Sequence, residues 1–416
     1  MVSAAPALLP IRRWRLSLFV FMLLVGVSMS SWIVRTPAVR DALQASTAQM
    51  GLVLLGLSVG SMSGILSSAA MVRRHGGRTT MAVGGVLVVA GVLVVGLGSA
   101  AASAPLVALG LGLFGGGGGL SEIAVNIEGA DIERRLERPV LPALHGCFSA
   151  GTVVGALAGI VLTYLRVPVV LHLGVVSALA AVAFAWSVRS IPPGTGRQSL
   201  DAGSGAGWRA QLVVWRDRRI VLLGMVVLAL ALAEGSANDW LPLIMVDGHG
   251  TTQTTGSIVF AAFAAAMTCG RFMGATLLNR FGPVLVLRGS ALVSVAGLAL
   301  VVFSPNSAVA GAAVVLWGLG ASLGFPVTIS AAGDSDDPDA AVAAVATAGY
   351  LAFLAGPPVL GFVGEHVGLR GAMLLVLVVV ATVTVTSAAA RPRAGAASAD
   401  GGDGAPEPVG ERPKVS

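Results

Sequence analysis

Apolar runs of about twenty residues follow one another along this chain, and that length is what a helix needs to cross a hydrocarbon core about 30 Å thick. They fall near 16–34, 48–72, 79–99, 105–126, 140–163 and 168–188, then near 220–240, 254–278, 284–303, 308–330, 340–363 and 370–390. The sequence therefore predicts an all-α membrane protein with twelve transmembrane helices. Of 416 residues, 55% are hydrophobic and 11% charged, whereas roughly a quarter of an ordinary soluble protein is charged. Too few charges are present to cover a soluble surface. A cytosolic enzyme, a disulfide scaffold and a disordered chain are excluded, and lipid is the partner of most of the surface.

The arginines set the expected orientation, because basic residues collect in cytoplasmic loops. With the N-terminus inside, Arg35, Arg40, Arg166 and Arg370 fall outside, Arg271 and Arg288 lie within spans, and the other basic residues are cytoplasmic. Both termini are expected in the cytoplasm, in a bacterial inner (plasma) membrane. Arg12, Arg13 and Arg15 before the first run resemble the n-region of a signal peptide. That run is long and no small-residue cleavage site closes it, so it reads as a retained helix. The excess of arginine sits in short loops between apolar runs, which speaks against nucleic-acid binding.

A basic stretch rich in Gly, Pro and Ser, 191–219, divides the chain and reads as a cytoplasmic linker. Within it, Trp208, Leu212 and Trp215 beside Arg209, Arg216 and Arg218 have the pattern of an amphipathic helix at a lipid surface. Residues 1–190 and 220–390 form two six-helix units, and 391–416 a disordered cytoplasmic tail. The units echo one another. Ser28-x-x-x-Trp32 recurs as Ser236-x-x-x-Trp240, and the Arg73-Arg74-His75-Gly76-Gly77-Arg78 loop as Asn279-Arg280-Phe281-Gly282-Pro283. The duplication predicts parallel halves related by a pseudo-two-fold axis.

These residues resemble the major facilitator superfamily, whose loop between spans two and three reads roughly Gly-x-x-x-Asp-Arg-x-Gly-Arg-Arg. Gly77 and Arg78 match it in the first copy, and Arg280 and Gly282 in the second. Arg74 replaces the usual Asp, and Asn279 takes the acidic position of the repeat. The resemblance implies two pseudo-symmetric six-helix bundles, a role for these loops in conformational switching, and solute transport. A narrower likeness, to bacterial permeases of the YbjJ/MosC-like group, is carried by Ser31-Trp32-x-x-Arg35-x-Pro37, Glu122-Ile123-Ala124-Val125-Asn126, His145-Gly146-x-x-Ser149-x-Gly151 and Glu234-Gly235-x-x-x-Asp239-Trp240.

Ionisable groups inside spans are costly and mark function. Glu122 and Asn126 are four apart on span four and share a helix face, as do Glu234 and Asn238 on span seven. Asp239 and Trp240 adjoin the second pair. A carboxyl group sheltered from water can take a proton on one side and release it on the other, so Glu122, Glu234 and Asp239 are candidate proton carriers. His145, which titrates near neutrality, joins them. Trp32, Arg35, Glu122, Asn126, Asn238 and Trp240 are the candidates for binding solute. For Arg35 an interfacial anchor is an equal reading, and Arg271 is expected to reach for the cytoplasm. Glu128, Asp131, Glu133, Arg134 and Arg135 read as a solvated loop. Gly151-x-x-x-Gly155-x-x-x-Gly159 predicts close helix contact. The Gly115–Gly119 run lacks the Gly-Lys-Ser/Thr of a phosphate loop.

The expected protein is a non-enzymatic secondary transporter, monomeric and without cofactor or metal. It would move a small polar solute, sugar- or polyol-like, by alternating access coupled to protons. Two other readings stay open: efflux of an amphipathic compound by proton antiport, and a membrane sensor built on a carrier fold.

Overall fold

The computed structural model describes residues 5–138, 140–197 and 214–392, with side chains from residue 11. Most of the linker and nearly all of the tail inferred above lie outside the described residues. The first half comprises α1 (Ala5–Ile33), the short α2 (Thr36–Leu43), α3 (Thr47–His75), α4 (Gly77–Ala100), α5 (Ala104–Leu136), α6 (Leu141–Tyr164) and α7 (Val169–Ser190). The second comprises α8 (Arg218–Leu243) with a π-turn at Ile244–Gly248, α9 (Gln253–Phe303), α10 (Ser307–Ala321), α11 (Gly324–Gly333), α12 (Pro338–Ala381) and the short α13 (Val383–Thr386).

Two of these helices are too long for one crossing. At 1.5 Å per residue, the 51 residues of α9 would reach about 77 Å, more than twice a hydrocarbon core. Each is broken at a glycine with positive φ, Gly282 (φ 73°, ψ 166°) in α9 and Gly368 (φ 76°, ψ 158°) in α12. Among the described residues, ten helices are long and apolar enough to span. Eight counted once and the two broken ones counted twice give the twelve crossings expected.

The break also settles the register of the duplication. Gly76, between α3 and α4, has φ 87° and ψ 163°, the same turn as Gly282. Gln44 and Gly250 are a second positive-φ pair. Both 282 − 76 and 250 − 44 give 206. The caps agree: the Ser46 side chain accepts from Gln49 N at the start of α3, and Thr252 from Thr255 N at the start of α9, again 252 − 46 = 206. Gly76, not Gly77, is therefore the counterpart of Gly282, and Arg74 that of Arg280. Sequence spelling alone had aligned Gly77 one place off. A turn glycine is identified by the left-handed conformation it must adopt.

Within the first half, α1 packs on α6 and α7, α5 on α3 and α4, and α4 on α7; in the second, α8 packs on α12 and α9 on α10. Glycine makes this possible where lipid gives helices no hydrophobic drive to associate. A Cβ added at Gly56, Gly60 or Gly64 of α3 would lie 2.3, 2.0 or 2.3 Å from a carbonyl oxygen of Ala108, Gly112 or Gly116 of α5. Gly151 and Gly155 of α6 meet the backbone of α1 in the same way, 2.0 Å from Leu23 O and 2.6 Å from Val27 O. The glycine run of α5 is thus a packing surface.

The halves meet through α3 against α12 and α6 against α9. Among the described residues, the hydrogen bonds between them gather at the end of the bundle that carries α2. Arg40 binds both oxygens of Asp247, at 2.5 and 2.9 Å, and this bond keeps its guanidinium above the ordinary value. Gln253 Nε2 donates to Asp41 (2.9 Å), Ser257 Oγ to Val34 O (3.1 Å), and Ala48 N to the Glu365 carboxylate (3.0 Å). The deepest is Ser58 Oγ to Phe353 O (2.7 Å), near the middle of α3. The α2 end is closed, and no such bonds join the halves among the described residues at the opposite, linker end.

Candidate functional site

Four helices bring ionisable groups to the middle of the bundle. Measured along each helix at 1.5 Å per residue, Glu122 on α5 lies about 21 Å from the linker end, Glu234 on α8 about 24 Å and Tyr350 on α12 about 18 Å. Arg271 on α9 lies about 17 Å from the Gly282 turn. Arg271 Nη2 donates to Glu234 Oε1 at 2.9 Å, with side chains 38% and 18% exposed. Arg271 therefore does not turn to the cytoplasm as its sequence position suggested. The pairing partner was 37 residues away, and only the fold brings it near.

Glu122 belongs to the other half of the chain. It lies within electrostatic reach of Glu234 and Arg271 and of Tyr350, yet its own surface is exposed. Exposed at mid-helix and within reach of groups on the second half, Glu122 borders a gap between the halves. His145, also exposed, stands nearer the linker end of α6 within reach of Arg271. Asn126 and Asn238, one turn from Glu122 and Glu234, are half-buried. Their amides make no hydrogen bond among the described residues, which leaves donors and acceptors free beside the carboxylates.

Three candidates for solute binding lie elsewhere. Trp32 and Trp240 are 2% and 0% exposed. They sit toward the closed α2 end, and neither indole N–H has an acceptor. A ring packed on all sides offers no face to a sugar in this conformation. Arg35 is 3% exposed and committed to the first half: it donates to Thr163 Oγ1 at 2.9 Å and to Val167 O. It ties α1 to the α6–α7 connection and pairs with no carboxylate among the described residues. Asp239 is likewise buried, toward the α2 end from Glu234. Of the loop residues, Gly77 opens α4 and Arg78 is half-buried within it, whereas Arg280 is exposed and stacks 5.3 Å from the Phe281 ring.

Glu128 departs furthest from expectation. Far from being solvated, it is 0% exposed. Its carboxyl lies against Gly77, covered by the chain that follows α7. Asp131 does behave as a surface group, pairing with Arg134 and Arg135 at 2.9 Å.

Comparison with known proteins agrees with this architecture. The sequence model of the Major Facilitator Superfamily matches residues 16–346. The chain belongs to the Major Facilitator Superfamily. Among relatives, it is 29% identical over 353 residues to an uncharacterized MFS-type transporter of Yersinia pestis, covering 84% of this chain and 88% of that one. To the membrane protein MosC of Rhizobium meliloti it is 24% identical over 356 residues, 84% of each. Among solved structures, a D-xylose-proton symporter superposes with a TM-score of 0.74 at 12% identity, covering 91% of this chain and 97% of that one. The protein is a membrane transporter of the superfamily, with the superfamily fold; its members are carriers and not enzymes.

Proposed function

We propose that this superfamily member is a secondary active transporter of a small polar solute, sugar- or polyol-like, that works by alternating access and takes its driving force from protons. The observation that carries the reading is the meeting of Glu122 with the Glu234–Arg271 pair across the gap between the halves. An ion pair satisfies Glu234, whereas Glu122 makes no ion pair or hydrogen bond among the described residues. Glu122 is therefore the proton carrier in this reading. Glu234 exchanges Arg271 for a solute hydroxyl, and Asn126 and Asn238 supply the amide contacts that polyhydroxylated compounds require. His145 stands on the route between Glu122 and the linker side. Asp239, Trp32 and Trp240 enter the solute path only when the α2 end opens. The fold shared with a D-xylose-proton symporter is consistent with this reading, and the Arg distribution supports a cytoplasmic linker end in a bacterial inner membrane.

The test compares two transport modes in proteoliposomes. Glu122→Gln is expected to abolish uphill uptake driven by a pH gradient while leaving solute counterflow intact. Unchanged accumulation in Glu122→Gln, or loss of both modes in a well-folded variant, refutes Glu122 as the carrier of the transported proton. A thermal-shift screen against sugars, polyols, amines and drugs comes first, to supply the solute. Stabilisation by amphipathic drugs alone would replace the uptake reading with efflux.

A further inference from the structure

Glu128 lies six residues beyond Glu122 on α5, toward the linker end and outside the central cluster. Both of its carboxyl oxygens are closed off from solvent, and among the described residues neither accepts a hydrogen bond of regular geometry, although the polar groups of Trp14 and Thr195 stand near enough to donate. The carboxyl rests on the first turn of α4, where a Cβ at Gly77 would fall 2.1 Å from Glu128 Oε1. Trp14 of α1 and the Thr195 side chain form the other walls. The Trp14 indole N–H is also buried without an acceptor.

Thr195 is delivered by a strap of chain, residues 194–197, that follows α7. Gly77 N donates to Thr195 O at 2.9 Å, and Arg197 Nε to Arg74 O at 3.3 Å. Gly196 sits so closely on Val72 and Ile127 that a Cβ there would lie 2.7 and 3.1 Å from their side chains. The strap is thus fastened to the α3–α4 turn directly over the carboxyl. The charged groups that face Glu128 are Asp131 and Arg135, both on α5. Arg135 is stacked 5.3 Å from the Trp14 ring, and Asp131 is paired with it. From α1, α4 and the strap, the facing residues are Trp14, Gly77 and Thr195, none of which carries charge. A carboxylate with no accessible surface, faced from the other elements only by neutral groups, is disfavoured by burial even with Trp14 and Thr195 beside it, whereas the neutral acid is tolerated there.

We propose that Glu128 is a second proton-binding site, separate from the central cluster, which holds a proton while the 194–197 strap covers it and releases that proton on the linker side when the strap lifts. The step is an O–H dissociation: the proton passes to water and the carboxylate stays behind, solvated. The strap begins the connection between the halves, so its fastening depends on the proton. This inference goes beyond the function proposed above and does not require Glu122 to carry the transported proton.

The test is hydrogen exchange of the full-length protein, followed by mass spectrometry in peptides covering 74–80 and 192–198 across a range of pH. If opening of the strap releases one proton, the protection factor falls about tenfold per pH unit between the titration point of the uncovered carboxyl and that of the covered one, and is flat outside that window. Glu128→Gln, which resembles the protonated acid, should hold protection flat across the same range. It should also remove one protonated-carboxyl band from the infrared difference spectrum. A flat protection profile in the natural protein overturns the proposal without recourse to any variant. So does a slope that persists in a folded Glu128→Gln. Glu122→Gln should retain both the slope and the band. If instead it transports uphill normally, the central reading fails while this one stands.

Discussion

Removing the Arg40–Asp247 pair should loosen the closed end of the transporter by a calculable amount. The guanidinium holds both carboxylate oxygens, and the side chains are 20% and 31% exposed. Paired exposed charges contribute up to about 1 kcal/mol, and bidentate geometry puts this one at the top of that range. The pair joins the halves only while the α2 end is closed, so losing it favours the open state by about 1 kcal/mol, or about fivefold in population. The assay uses Ser257→Cys as a reporter at the seam, since Ser257 is 0% exposed and bonded to Val34 O. The native Cys147 and Cys269 are replaced by Ala. When opening is rare and fast, labelling by an impermeant maleimide from the α2 side is proportional to the open fraction. Asp247→Asn should raise the labelling rate about fivefold at low salt and less at high salt. Arg40→Ala with Asp247→Asn should label no faster than the stronger single variant, because the two act through one interaction. An unchanged rate in Asp247→Asn, or single effects that multiply in the double variant, would refute the reasoning.

Gly60→Leu should abolish folded protein in detergent, measured by size-exclusion profile. Even its Cβ falls 2.0 Å from Gly112 O, and overpacking against backbone costs about 1–3 kcal/mol or more. Arg35→Ala should lower the melting temperature and leave the solute affinity unchanged. It removes bonds to Thr163 and Val167 worth about 1.5–3 kcal/mol each for a charged donor. A large affinity change with an unaltered melting temperature would return Arg35 to the binding site. Arg271→Gln should destabilise by about 1 kcal/mol, the modest figure reflecting partial exposure. Adding Glu234→Gln should restore the melting temperature but not transport; thermal unfolding and uptake of the same preparations decide it.

Much of this was readable from residue order because lipid imposes a simple rule on segment length. Apolar runs gave the twelve crossings, including those on either side of Gly282 and Gly368. The intramembrane carboxyls Glu122 and Glu234, picked out by their place in apolar runs, do come within electrostatic reach of one another. Other properties depend on what lies opposite in space. Arg271 looked like a cation reaching for water because its partner is on another helix. Glu128 sits among Asp131, Glu133, Arg134 and Arg135, a setting that reads as a wet helix end, and it is α4, Trp14 of α1 and the strap after α7 that together remove it from water. Trp32 and Trp240 are another case: an indole suits a sugar platform and a packed seal equally well, and only the packing around it, buried for both in this conformation, separates the two.

The contact between α3 and α5 runs glycine against carbonyl over Gly56, Gly60 and Gly64. At these three positions backbone meets backbone with no room for a side chain to switch rotamer, so this part of the joint has little soft internal coordinate with which to absorb a push. Motion of the first half must then be that of a stiff lever, and whatever compliance the transport cycle demands is left to the polar seam at Arg40, Asp247 and Glu365.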